Sequence, residues 1–109
     1  NKLDDAEMKV LVEAMQYNAS LTELRLGGNS IGDAGATALG NALAVNASLT
    51  SLHLYGNRIG DEGAKALASS LEVNASLTTL GLMGNSIGDA AQGALRASVE
   101  GRQGFSMYL

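Results

Sequence analysis

His53 is the only histidine among the 109 residues, and Ser51 stands two positions before it. On an extended strand, residues two apart point to the same side. The pair therefore has the spacing of a nucleophile beside a general base. Such a base also needs a group to orient its imidazole. Glu23 is the only acid expected on that face, and it is not convincingly placed to orient the imidazole. Ser51 and His53 thus read as solvent-facing neighbours. A metal site at His53 fails on the same scarcity, because the chain has no cysteine and no carboxylates gathered around the histidine. Gly32-x-x-Gly35 and Gly60-x-x-Gly63 could cradle a phosphate at a helix start. No Gly-Lys-Ser/Thr signature follows them, and Asp33, Asp61 and Asp89 would repel the anion. The glycines read instead as permitting a tight turn. Asn18-Ala-Ser, Asn46-Ala-Ser and Asn74-Ala-Ser match the N-glycosylation acceptor pattern, but they recur at one fixed interval and read as scaffold. No catalytic residue, cofactor or metal is expected, and the chain is read as no enzyme.

Composition narrows the remaining classes. A net charge of −4, with Lys2, Lys9, Arg25, Arg58, Lys65, Arg96 and Arg102 scattered singly, offers no basic stripe for nucleic acid and no cluster for an anionic membrane. No apolar run approaches the length of a membrane span. The lack of cysteine excludes disulfides and favours a reducing, cytoplasmic setting. Aromatics are 4% of the chain, too few for a base-stacking surface, while 46% hydrophobic residues argue for a folded core.

The elements that position these residues come from an internal repeat. Leu21-Thr-Glu-Leu-Arg-Leu26 returns as Leu49-Thr-Ser-Leu-His-Leu54 and again as Leu77-Thr-Thr-Leu-Gly-Leu82. Residues 21–48 and 49–76 are identical at 18 of 28 positions, far beyond chance. Within each unit the leucines follow a strand period, and a helix period follows over roughly 33–45, 61–73 and 89–100. Ala34, Ala38, Leu39 and Leu43 mark one apolar helix face, and Ala64, Leu67, Ala68 and Leu71 the next. Asp33, Asp61 and Asp89 are placed to cap their own helices, and Asn18, Asn46 and Asn74 to end helices in the left-handed conformation. Asn29, Asn57 and Asn85, with Asn1 on the same register, are expected to form a ladder of side-chain bonds between units.

A β–α unit cannot bury both faces alone, so the units must stack. Helices are wider than the spacing of about 4.8 Å between strands, which forces an arc with strands inside. The reading is an α/β, right-handed solenoid with parallel strands on the concave face and helices on the convex face. It is a single domain over 1–109: a half-unit helix over 1–20, repeats at 21–48, 49–76 and 77–104, and a partial strand over 105–109. Phe105 and Tyr108 are expected at the positions of Leu77 and Leu80. Ala91, where Gly35 and Gly63 stand in the other units, and Gly101-Arg-Gln-Gly104 mark the last unit as irregular, like a terminal cap.

The pattern L-x-x-L-x-L-x-x-N-x-I-G-D-x-G-x-x-x-L in 28 residues resembles ribonuclease-inhibitor-type leucine-rich repeats, and residues 49–76 fit it throughout. Similar repeats occur in NOD-like receptors, the activating protein of the Ran GTPase and tropomodulin-like proteins. The resemblance implies an intracellular protein-binding role.

The concave positions form three rows: Glu23, Ser51, Thr79; then Arg25, His53, Gly81; then Gly27, Tyr55, Met83. Tyr55 with Met83 is the expected anchor pair, beside His53, with Arg25 and Glu23 as a polar rim. A protein partner held on Tyr55, His53, Arg25, Met83, Glu23, Ser51 and Thr79 is the leading expectation. Self-association through open sheet edges, as a structural or oligomerisation segment, is one alternative. Regulation of an enzyme, a GTPase or nuclease, is another. The chain begins within a unit and stops within one, which reads as a stretch of a longer solenoid.

Overall fold

The computed structural model describes residues 5–109. Helices and strands alternate: α1 (Asp5–Tyr17), β1 (Glu23–Arg25), α2 (Asp33–Val45), β2 (Ser51–His53), α3 (Asp61–Val73), β3 (Thr79–Gly81), α4 (Asp89–Ser98) and β4 (Ser106–Tyr108). The strands form one parallel sheet in sequence order. Neighbouring helices pack in the same order, α1 on α2, α2 on α3 and α3 on α4. The protein is thus an α/β solenoid of stacked β–α units.

The core lies between the two layers. Leu49, Leu52, Leu54, Leu77, Leu80 and Leu82 from the sheet meet Leu39, Leu43, Leu67, Leu71 and Leu95 from the helices, all buried. Met8, Val12 and Met15 of α1 close one end. The apolar face of α2 differs from expectation at one position: Ala34 is exposed and Ala36 is buried. Ala36 aligns with Ala64, so both helices turn the same face inward.

The asparagine ladder is present. Asn57 Oδ1 accepts from the N–H groups of Asn29 and Ile31 in the preceding unit, at 2.9 and 3.0 Å. Its Nδ2 donates to the Leu26 and Leu54 carbonyls. Asn85 repeats this towards Ile59, Leu54 and Leu82. Asn1, expected on the same register, lies outside the described residues. The turn beside the ladder needs positive φ at Gly28, Gly56 and Gly84, at 73°, 65° and 80°.

Three expectations are corrected. Asn46 and Asn74 end their helices in extended, not left-handed, conformation, with φ of −86° and −89°. Their amides work in both directions instead. Asn46 Oδ1 accepts from Ser48 and Leu49, while Nδ2 donates to Met15 and Asn18 carbonyls; Asn74 does the same one unit on. This is a second ladder, and it consumes the Asn-Ala-Ser amides of Asn46 and Asn74.

Second, the aspartates do not cap their own helices. The caps are Gly32, Gly60 and Gly88, without side-chain bonds. Asp33 Oδ1 instead accepts from Gly60 and Gly63 N–H at 2.7 and 3.0 Å, which neutralises the N-terminus of the next helix. Asp61 reaches Gly88 N–H at 2.7 Å. Gly60 and Gly63 are therefore explained by close approach of a carboxylate rather than by a turn. A Cβ on Gly63 would sit 2.8 Å from Asp33 Oδ1 and 2.9 Å from Ala36 Cβ.

Third, the last strand is one residue out of the expected register. Thr79 pairs with Ser106, Leu80 with Met107 and Gly81 with Tyr108. A slip of one residue exchanges faces. Phe105, Met107 and Leu109 pack on the core, and Tyr108 turns outward.

Candidate functional site

The outward face of the sheet carries the side chains that the leucines leave over. The strand register brings Glu23, Ser51, Thr79 and Ser106 into one row, and Arg25, His53, Gly81 and Tyr108 into the next. Backbone bonds from Gly28 to Tyr55 and from Gly56 to Met83 extend the ladder past the strands, so Gly27, Tyr55 and Met83 form the third row. A strict 28-residue period puts Tyr108 at the inward Leu80 position, whereas the observed register brings it into the outward row. The alternation Phe105, Met107, Leu109 was the signal that pointed to the other register.

Four of these residues are linked. The Arg25 Nε and guanidinium NH2 donate to Glu23 Oε2 at 3.0 and 2.9 Å. The same carboxylate oxygen lies 3.3 Å from His53 Nε2. An Nε2–H directed at Glu23 leaves Nδ1 as the acceptor for the Tyr55 hydroxyl, 3.2 Å away. The His53 and Tyr55 rings are 5.5 Å apart and tilted by 37°. An acid does orient the imidazole, contrary to expectation: Glu23 pairs with Ser51 and reaches diagonally to His53. Both ring nitrogens are then engaged by Glu23 and Tyr55, and neither is directed to the Ser51 hydroxyl.

The Tyr55 ring lies across Gly81, where an added Cβ would overlap it. Gly81 is buried as a result, although its strand position faces outward. The missing side chain makes a berth that holds Tyr55 flat beside His53. Met83 projects freely and is 50% exposed, and Tyr108 is 46% exposed. Arg25 is the most open member, with 75% of its side chain accessible. Ser51, Thr79 and Ser106 are half-buried polar positions along the first row. Together these side chains make a ridge of fixed polar and aromatic groups flanked by two exposed apolar ones. Among the described residues no three His, Asp or Glu side chains gather as metal ligands would, and no helix is long and apolar enough to cross a membrane.

A family model described as Leucine Rich repeat matches residues 17–40, 45–68 and 73–91. The chain belongs to the leucine-rich repeat family. Its 28-residue β–α units are of the ribonuclease-inhibitor type. Comparison with curated proteins finds no match. Two similar solved structures are the leiomodin-1 actin-binding site 2 and the C-terminal domain of tropomodulin from Caenorhabditis elegans. The first superposes with a TM-score of 0.89 at 21% identity over 97% of this chain and 63% of that one. The second gives 0.86 at 17% identity over 98% of this chain and 66% of the other. The chain therefore spans somewhat less than two thirds of both. At these identities the likeness concerns the fold.

Proposed function

We propose that this chain is a non-catalytic module that binds a protein partner on the outward face of its sheet. The observation that carries the reading is the chain of contacts from Arg25 through Glu23 and His53 to Tyr55, held over Gly81 and flanked by exposed Met83 and Tyr108. A rigid aromatic anchored by a polar neighbour adds contact area at low cost in conformational entropy, and Tyr, Met and Arg are enriched at interface cores. The seven expected residues remain the proposed contacts, with Tyr108 and Ser106 added. Arg25 supplies a cation at the rim for a partner carboxylate, and Met83 and Tyr108 supply the apolar contact.

The likeness to the leiomodin-1 actin-binding site 2 makes actin the first partner to test. The proposed setting is accordingly cytoplasmic. Co-sedimentation with filaments and titration with monomeric actin would be run beside a pull-down for other partners. The Tyr55→Ala, Met83→Ala double variant is expected to weaken the complex by about tenfold or more. Unchanged affinity in a variant with an unaltered thermal melt would remove the sheet face from the account.

A further inference from the structure

The edge of the solenoid where α1, α2 and α3 end carries a row of exposed apolar side chains. Tyr17, Val45 and Val73 recur at the same repeat position and are 85%, 64% and 69% exposed. They contribute nothing to the core, and β-branched residues are indifferent helix formers. The scaffold therefore gives no reason for them. Between adjacent prongs lie two open grooves, one of about 270 Å³ between Tyr17 and Val45 and one of about 460 Å³ between Val45 and Val73. Ala19, Ala47 and Ala75 line them together with the loop asparagines.

The electrostatics of this edge are one-sided. Three parallel helices present their C-terminal, partially negative ends here, and none has a basic residue in its last turn. The loop asparagines satisfy one carbonyl of each of the first two helices but bring no charge: Asn46 bonds Met15 and Asn74 bonds Leu43. Arg102 brings a cation only to α3, through the Leu71 carbonyl. The fourth helix has Arg96 in its last turn, and Gly101 stands where a fourth prong would be. Helix α4, with a cation in its last turn, lacks a prong, whereas α1 and α2 have prongs and no cation. Glu13, one turn before Tyr17 on the same helix face, and Glu72, next to Val73, add formal negative charge.

We propose that this edge is a second binding surface, and that its occupant is an extended peptide segment of a partner, with an apolar residue at every third position and basic residues between them. The spacing follows from geometry. Packed helices lie about 8–10 Å apart, so successive grooves repeat at about that interval. An extended polyproline-II-like segment advances about 9 Å in three residues and returns the same side to the surface. Every third side chain then enters a groove, and the intervening Lys or Arg residues face the uncompensated ends of α1 and α2.

The test is titration of the full chain with a fluorescent synthetic peptide of about twelve residues that repeats Leu-Lys-Ser. Two control peptides are a scramble of the same composition and the same pattern with Glu in place of Lys. The expected result is binding of the patterned basic peptide alone, weakened by added salt. Val45→Asp is expected to lower that affinity at least tenfold, and Glu13→Lys by a smaller factor. Tyr55→Ala should leave it unchanged, which separates this surface from the sheet face. Thermal melts check that the exposed substitutions leave the fold intact. No binding of the patterned peptide, equal binding of the scramble or the Glu peptide, or indifference to Val45→Asp would overturn the proposal. So would a dimer in sedimentation that Val45→Asp abolishes, because the occupant would then be a second copy.

Discussion

Asn46 and Asn74 each join their unit to the one before through an amide that donates on one side and accepts on the other. At the aligned position of the last unit stands Arg102. Its guanidinium donates to the Leu71 and Leu77 carbonyls at 3.1 and 2.6 Å and lies 5.0 Å above the Phe105 ring. This second ladder therefore continues into the irregular last unit. Half of it is changed, however, because a guanidinium has donors and no acceptor. The loop that Asn46 and Asn74 brace by accepting two N–H groups is shaped in the last unit by Gly101 and Gly104, both with positive φ. It is also one residue shorter, which is why the final strand enters with Met107 inward. The helix starts differ in parallel. Asp33 makes two bonds to the N-terminus of α3, whereas Asp61 makes one to that of α4, where Ala91 replaces glycine. The interior units are locked by amides that serve both neighbours; Arg102 keeps only the donor half of that lock, and Asp61 keeps one of the two accepting bonds that Asp33 makes.

The sharpest way to break this comparison is to remove one rung in each region. Asn57→Ala strands several buried backbone groups and is expected to cost about 3–5 kcal/mol in urea unfolding, at about 1–3 kcal/mol per unsatisfied group after partial relaxation. Asn85, half-buried and accepting from Ile59 alone, should cost about 1–2 kcal/mol when replaced by Ala. Equal losses would show that interior and terminal rungs are equivalent.

Glycine at the third helical position gives a test by sign. Gly63→Ala drives a methyl against Asp33 and Ala36, so it should destabilise by about 1–3 kcal/mol despite the better helix propensity of alanine. Ala91→Gly in the last unit should also destabilise, by about 0.5–1 kcal/mol, because there helix propensity and a buried methyl decide. A stabilising Gly63→Ala would mean that the cross-unit carboxylate bond is unimportant.

A further test concerns Arg102. Replacing it with Ala should cost about 1–2 kcal/mol, and Lys should restore only part, because an ammonium cannot fork to two carbonyls as a guanidinium does. Hydrogen exchange should quicken in residues 105–109 and hardly at all in residues 21–54. Full recovery with Lys would reduce the role of Arg102 to its charge.

The repeat, the strand leucines and the Asn57 ladder were legible in the sequence because each obeys a period that only stacking explains. What was not legible depends on which unit a side chain turns to. Asp33 at a helix start reads as a cap for its own helix, and nothing local says that the neighbouring helix lies closer. Asn46 ends a helix, so it suggests a left-handed cap, although its amide is engaged across the stack. The rows of the sheet face were readable from the same period, but contacts within them were not. Glu23 reaches His53 along a diagonal, and Tyr55 lies down because Gly81 leaves room. Tyr108 reads as an inward residue at the Leu80 position, and a single missing residue in the preceding loop turns it outward.

Hydrogen exchange footprinting of the chain with its bound protein partner tests the sheet-face account most directly. Protection is predicted in the segments around residues 23–27, 51–55, 79–83 and 106–108, with the outward sides of α2 and α3 unaffected. Protection confined to the helices, with those four strand segments unchanged, would contradict it.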